Sequence, residues 1–203
     1  MNPRWWAWRE QVFGDSHEIW RNGVYFDGLL VRFNADSEDV ATMLAIGIAD
    51  EDYVAALSIA ELARLGLAQT QFVDLVGKAV PNSAGRFRVS VGQALLALTG
   101  DEPAAAELIL SVLKTADSRD DRLDAAIALA FLTPTGHLVQ SLGQAVARDP
   151  DYFVRYHAAN ALLRYAGRDE GISVELVDLI GSRASPAKWR RAAEVLAQPF
   201  RDA

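Results

Sequence analysis

The amino-acid sequence predicts an all-α protein: an α-solenoid of about five helical hairpins behind an aromatic-rich N-terminal segment. Three observations carry this prediction. Apolar residues recur at three- and four-residue steps from Asp36 onward, which is the spacing of an amphipathic helix. Alanine and leucine, both strong helix formers, are abundant in the same region. Glycine- or proline-containing breaks divide this region at regular intervals.

These breaks delimit ten predicted helices. Some of them begin at a capping residue, since Ser118 precedes Arg119 and Ser185 precedes Pro186. The predicted ranges are 37–48, 51–65, 69–80, 84–99, 102–116, 119–132, 135–148, 151–166, 172–183 and 186–197.

A leucine near the end of every second helix shows that the helices form a repeat. The five positions are Leu62, Leu95, Leu129, Leu162 and Leu196, at intervals of 33, 34, 33 and 34 residues. The columns four and three residues before each leucine hold mostly small side chains, which lets a neighbouring helix approach closely. One hairpin cannot bury its apolar face, whereas stacked hairpins share a continuous core.

One hairpin carries a recognisable motif. Residues 149–162 are DPDYFVRYHAANAL. This segment resembles the HEAT-like repeat of the phycobilin-lyase type, whose second helix follows the pattern Asp-Pro-Asp-x-x-Val-Arg-x-x-Ala-Ala-x-Ala-Leu. The resemblance covers about residues 36–200 and implies a right-handed α-solenoid. It implies almost nothing about chemistry, because such arrays serve as scaffolds, adaptors, inhibitors and a few enzymes.

An arginine column follows the same period through Arg88, Arg122 and Arg155. Ala55 and Trp189 take the arginine's place in the outer hairpins, which departs from the pattern. Because the column recurs with the period of the fold, we expect a structural role, in which the arginines pair with acids of the same or the next hairpin.

The first 35 residues do not follow the repeat. We interpret residues 1–35 as an N-terminal cap whose aromatic side chains cover the open end of the array, residues 36–203, within one structural domain. The alternative is that some of these rings are exposed as binding anchors. Residues 23–31 fit either a short strand or a helix. The tryptophans of this segment are Trp5, Trp6, Trp8 and Trp20.

Composition argues against several function classes. The chain has 20 Lys and Arg against 27 Asp and Glu, a net charge of −7, which disfavours nucleic acid and favours a basic protein partner. It has no cysteine for disulfide or thiolate chemistry. The N-terminus lacks the apolar core of a secretion signal, and no apolar stretch approaches the ~20 residues that span a bilayer. We therefore expect a cytoplasmic protein with no membrane partner.

Catalytic and metal-binding motifs are missing from the sequence. It contains neither G-x-S-x-G nor a glycine-rich phosphate loop. The three histidines, His17, His137 and His157, fall in different units, and only His17 has an adjacent acid, Glu18. Metal sites need several converging ligands. We expect no catalytic residue, no cofactor and no metal.

The surface predicted to bind a partner is the concave face, which the second helices of the hairpins line in HEAT-like arrays. The starts of these helices are rich in acids and aromatic residues. An aspartate there is often only a helix cap, worth ~0.5–2 kcal/mol, and we expect this role for at least half of the acids. The others would form an acidic groove with tyrosine anchors. The predicted partner-binding residues are Asp52, Tyr53, Asp120, Asp121, Asp124, Asp151, Tyr152 and Tyr156.

These observations predict a non-enzymatic protein–protein interaction module: a bacterial immunity protein or inhibitor that occludes a toxin or an enzyme. Two alternatives belong to other classes. One is a HEAT-like enzyme or cofactor-handling protein, such as a lyase-type chromophore chaperone or a DNA glycosylase. The other is a passive scaffold or adaptor within a larger complex.

Overall fold

The regular structure of the protein is helical throughout the described part of the chain. A computed structural model describes residues 2–68, 70–168, 170–181 and 183–200, with side chains except at 20–22. The all-α prediction is confirmed over these ranges. Their helices are α1 (Pro3–Phe13), α2 (Ser16–Asn22), α3 (Asp27–Ala35), α4 (Ser37–Ala49), α5 (Tyr53–Arg64), α6 (Gln71–Ala79), α7 (Gly85–Thr99), α8 (Glu102–Thr115), α9 (Arg119–Leu129), α10 (Gly136–Arg148), α11 (Tyr152–Tyr165), α12 (Val174–Ile180) and α13 (Pro186–Ala197), with 3-10 turns at Val80–Asn82 and Gln198–Phe200.

The ten predicted helices correspond to α4 through α13, and each end lies within three residues of its prediction. The start of α9 is capped as predicted, because the Ser118 hydroxyl accepts the backbone N–H of Asp121. Its end comes earlier, at Leu129, where three successive i→i+3 backbone bonds tighten the chain into a turn. Residues 27–31, left open between strand and helix, lie in α3.

The chain divides into two compact units, Met1–Asp101 and Glu102–Ala203. Helices α1 to α7 belong to the first unit and α8 to α13 to the second. The cap boundary predicted after residue 35 falls inside the first unit, where α1 packs against both α3 and α4.

The first unit contains two of the repeated hairpins, α4–α5 and α6–α7. Equivalent helices of the two hairpins also pack side by side, α4 with α6 and α5 with α7. The approach is close at Gly47 of α4: a β-carbon there would lie 2.7 Å from Cβ of Ala55 and 2.8 Å from the ring of Trp5. Glycine at this position therefore allows the hairpin and the N-terminal aromatic layer to pack together.

Aromatic side chains of the N-terminal segment form part of the core of this unit. Trp5 and Trp8 are buried and stacked, with ring centroids 5.5 Å apart. Phe13 packs edge-on against Trp8, and Phe26 edge-on against Phe13. Trp5, Trp8 and Phe13 are thus buried, Phe26 is half-buried and Tyr25 is exposed. The side chain of Trp20, predicted to belong to the same layer, lies outside the described residues.

The second unit contains the hairpins α8–α9, α10–α11 and α12–α13. Here too equivalent helices are neighbours, α8 with α10, and α9 with α11, which in turn contacts α13. The residue columns predicted to lie between helices are buried in both units, apart from Leu95 and Ala193, which are half-buried. The fully or almost fully buried members are Ser58, Ile59, Leu62, Val91, Gly92, Ala125, Ala126, Leu129, Ala158, Ala159, Leu162, Ala192 and Leu196.

Candidate partner-binding surface

Asp52 and Tyr53, the two predicted site residues of the first unit, are committed to structural contacts. Asp52 is buried; its carboxylate caps α5 through the N–H of Val54 and accepts the indole N–H of Trp5 at 2.9 Å. It also lies 3.0 Å from Nε of Arg9, another buried side chain. Tyr53 is half-buried beneath Arg86, whose guanidinium lies 4.7 Å from the ring centroid. Asp52 therefore joins the aromatic layer to α5 and is not available to a partner.

In the second unit, Arg122 of α9 connects two successive hairpins. Its guanidinium donates to both carboxylate oxygens of Asp149, at 2.8 and 3.3 Å, and to the carbonyls of Ala116 and Asp117. Hydrogen bonding to Asp149, opposed by burial, raises the pKa of Arg122. The predicted pairing of a column arginine with an acid of the next hairpin is confirmed for this residue.

Arg155 of α11 occupies the next position of the column and is fully buried. It donates to the carbonyls of Asp149 at 2.6 Å, Ile180 at 2.9 Å and Gly181 at 3.3 Å. Its guanidinium also lies 3.8 Å from the ring centroid of Trp189. Trp189 is the residue that replaces arginine in the final hairpin, so the departure from the motif provides a stacking surface for Arg155. Burial lowers the pKa of Arg155.

These contacts show that α9 and α11 run in the same direction. Near their starts, Arg122 binds Asp149, which lies three residues before the first residue of α11. Near their ends, the hydroxyl of Tyr165 donates to the carbonyl of Leu129 at 2.5 Å. Burial, together with the charge of Glu102, raises the pKa of Tyr165 to about 12, so this hydroxyl stays protonated as a donor.

The turn after α9 presents an exposed phenyl ring. Phe131 is 67% exposed, and the guanidinium of Arg164 lies 4.7 Å from its ring centroid. The turn is held to the start of α8, because Glu102 accepts hydrogen bonds from the backbone N–H and the hydroxyl of Thr133. Together with the hydrogen bond from the Tyr165 hydroxyl to the carbonyl of Leu129, these contacts hold the turn that carries Phe131 in place.

Three side chains on α9 form an outward stripe: Asp120, Asp124 and Ile127. They are four and then three residues apart, so they lie on one face of the helix. Asp120 is exposed and pairs with the exposed Arg119 at 2.9 Å. Asp124 is half-buried, and Ile127 is 38% exposed. Asp121 lies beside the stripe, half-buried, in the first turn of α9.

The start of α11, the helix that packs against α9, carries an aromatic cluster. Its helix cap is Asp151, whose carboxylate accepts the N–H groups of Phe153 and Val154. Tyr152 lies 5.2 Å from Phe153 and 6.0 Å from Tyr156, measured between ring centroids. Tyr156 in turn meets His157 edge-on at 5.3 Å, and burial lowers the pKa of this histidine.

The predicted residues of the second unit thus fall into two groups. Asp151 is used as a cap, as expected for part of the acids. Asp120, Asp121 and Asp124 lie on α9, beside the α11 that carries Tyr152 and Tyr156.

Sequence reasoning missed the apolar part of this surface. Phe153 is 50% exposed and Phe131 still more so, but neither was predicted as a site residue. The repeat register offered a signal for Phe153, which stands 33 residues after Asp120 and shares its column. No such signal exists for Phe131, because its exposure follows from the early end of α9.

Metal-ligand clusters and membrane-spanning helices are not found in the described part of the chain. No group of three His, Cys, Asp or Glu side chains there is placed to hold a metal ion. None of its helices is both long enough and apolar enough to cross a bilayer. Comparison with protein-family models, with curated proteins and with solved structures gave no match.

Proposed function

We propose that this chain is a non-enzymatic, cytoplasmic protein-binding module whose second unit receives a basic segment of another protein. The observation that supports the proposal is how α9 and α11 distribute their charges. The column arginines Arg122 and Arg155 turn inward and are held by structural contacts. The outward side carries Asp120, which pairs with Arg119, together with Asp124 and partly exposed aromatic rings.

This outward composition suits protein recognition. Aromatic side chains supply much of the binding energy in interfaces, because a rigid ring buries a large area at a small entropy cost. Carboxylates around the rings attract a basic partner and fix its orientation. Within this proposal, the protein is an immunity protein or inhibitor that covers a basic region of a toxin or an enzyme.

The polar groups around α8 and α10 also favour binding over catalysis. A depression of about 640 Å³ in the second unit is lined by Arg122 and Asp149 together with Ser141, Gln144 and Arg148. Its arginine and aspartate are bound to each other and to backbone groups. A carboxylate held in this way is a support for the fold rather than a general base.

We further propose that the hairpins belong to a right-handed α-solenoid of HEAT-like repeats. Support comes from the constant leucine period and from the side-by-side packing of equivalent helices within each unit. Small-angle X-ray scattering tests this architecture. An elongated particle is expected, and a maximum dimension typical of a compact 203-residue sphere would contradict it.

Affinity purification from the native cytosol tests the binding function. The tagged wild-type protein should retain one stoichiometric partner, and Asp120→Lys/Asp124→Lys should lose it. The control is Glu107→Lys/Asp178→Lys, which changes the net charge equally at exposed positions of α8 and α12. This control should retain the partner.

Circular dichroism establishes that both double variants are folded. The proposed function is wrong if no stoichiometric partner is recovered, or if both double variants release the partner equally. Loss on charge reversal should also be accompanied by salt-sensitive binding of the wild type, since exposed charges are screened within about 10 Å at 0.1 M salt.

A further inference from the structure

The depression of about 640 Å³ in the second unit lies between the end of α8 and one face of α10. Four residues of α10 line it at positions i, i+3, i+4 and i+7, so they share one side of the helix. They are Ser141, Gln144, Ala145 and Arg148. A depression of this volume is large enough for a small organic molecule and exceeds what a single ion needs.

Three of these side chains carry polar groups that the fold does not use. Ser141 is only 5% exposed, and its hydroxyl has no hydrogen-bond partner among the described residues. Gln144 and Arg148 are exposed, and their side chains have no partner there either. Buried polar groups are normally hydrogen-bonded, because an unpaired one costs free energy. The partner that Ser141 lacks is one that a ligand in the depression can supply.

The other polar groups of the lining are committed to the fold. Arg122 and Asp149 bind each other, and Arg122 also donates to the carbonyls of Ala116 and Asp117, just after the end of α8. Because these two carbonyls are paired, the partial negative charge at this helix end is reduced. Arg148, the last residue of α10, forms no ion pair with a described carboxylate and is left to interact with a ligand.

The charges of the lining favour an anionic ligand. Its ionisable side chains are three basic residues, Lys114, Arg122 and Arg148, and two acidic residues, Asp117 and Asp149, which gives a net charge of +1. The whole chain has a net charge of −7. The depression is therefore a locally basic site on an acidic protein, and such a site attracts an anion by its local field.

We propose that this depression binds a small organic anion through a carboxylate or phosphate group, with Arg148 as its charge partner and Ser141 and Gln144 as hydrogen-bond donors. The planar guanidinium of arginine presents paired N–H groups that match either oxyanion. The rest of the ligand packs over the apolar lining, which includes Ala145 and Pro150. This inference goes beyond the proposed function, because it involves neither the acids of α9 nor a protein partner.

Titrations followed in the ¹H–¹⁵N amide spectrum of the full-length protein test the site. The probes are inorganic phosphate and succinate, with ionic strength held constant by sodium chloride, and sodium chloride alone is the reference. Amides of residues 141–148 should shift in a saturable manner with at least one probe. The probe that saturates at the lower concentration identifies the preferred oxyanion. If neither probe gives saturable shifts there, the proposal is wrong.

Four variants assign the contacts. Arg148→Ala should weaken binding by ~10-fold or more, as expected for a hydrogen bond to a charged group. Ser141→Ala should weaken it by ~3-fold without lowering the thermal unfolding midpoint, because no hydrogen bond within the protein is lost. Asp117→Asn should strengthen binding, since it removes a negative charge from the lining. The matched control, Arg190→Ala, removes an exposed arginine of α13 and should leave binding unchanged.

Equal weakening by Arg148→Ala and Arg190→Ala would show that net charge alone attracts the anion, and the site would be overturned. Wild-type affinity in Ser141→Ala would exclude the hydroxyl as a ligand contact. A lower unfolding midpoint in Ser141→Ala would show that the hydroxyl is already used by the fold, which also contradicts the proposal.

Discussion

The Arg122–Asp149 pair allows a controlled test of what burial contributes to an ion pair in this fold. The chain contains a second Arg–Asp pair of nearly equal length: 2.9 Å for Arg119–Asp120 against 2.8 Å for Arg122–Asp149. The side chains of the first pair are 55% and 62% exposed, and those of the second 14% and 8%. Distance is thus matched while exposure to solvent differs.

We expect a coupling free energy of about 1–2 kcal/mol for Arg122–Asp149. A hydrogen bond to a charged group contributes about 1.5–3 kcal/mol where it is well buried, and this pair has one short and one long bond near the surface. For Arg119–Asp120 the coupling should be below about 0.5 kcal/mol, because water screens both charges.

Each value is obtained from a double-mutant cycle of alanine variants, unfolded in urea at pH 7 and followed by far-UV circular dichroism. Arg122 also donates to the carbonyls of Ala116 and Asp117. Arg122→Ala removes these two hydrogen bonds whether residue 149 is aspartate or alanine, so their loss cancels in the cycle. Equal coupling in the two pairs would refute the view that Arg122 joins adjacent hairpins.

Three further predictions concern single positions. Gly47→Ala should destabilise the protein by about 1–3 kcal/mol, because the new β-carbon would clash with Ala55 and Trp5. Gly143→Ala on α10 places its methyl group in open space and should stabilise the protein by up to ~1 kcal/mol. Thermal unfolding measures both changes. Arg155→Ala should reduce the free energy of unfolding by about 3–5 kcal/mol, because three backbone carbonyls lose their donor. Amide hydrogen exchange should accelerate first in α12 and α13. A loss of stability below ~1 kcal/mol would show that these three hydrogen bonds do not hold the last hairpin in place. Burial depresses the pKa of His157 in the folded state, so the unfolded chain binds the proton more readily and the free energy of unfolding should fall as the pH drops below about 6.5. His157→Gln should flatten this pH dependence in urea titrations between pH 5 and 8. If the wild type and the variant lose stability in parallel, His157 does not cause the pH dependence.

Local sequence signals predicted the helices well. Helix boundaries follow from apolar spacing and from caps such as Ser118 and Asp151, which act within one turn of the chain. The leucine period also predicted which columns of small residues would be buried, because only one face of each hairpin can lie against its neighbours. The structural role of Arg122 followed from the same period.

Whether an individual aspartate is buried or exposed was harder to predict. Asp52 and Asp120 both stand at helix starts, and both were predicted to face a partner. Asp52 is buried because α1 places Trp5 and Arg9 over it, more than 40 residues earlier in the chain. Asp120 stays exposed beside Arg119. Nothing within a few residues of either aspartate distinguishes the two outcomes.

By itself, the sequence determined the helical class, the helix boundaries to within three residues and the burial of most of the small-residue columns, because these depend on spacing along one chain segment. Tertiary structure alone decided which side chains remain outside. Phe131 is exposed because α9 ends early and Glu102 and Tyr165 hold the turn that follows it. Those partners lie about 30 residues away in either direction, and a side chain's exposure is set by whichever segments fold against it.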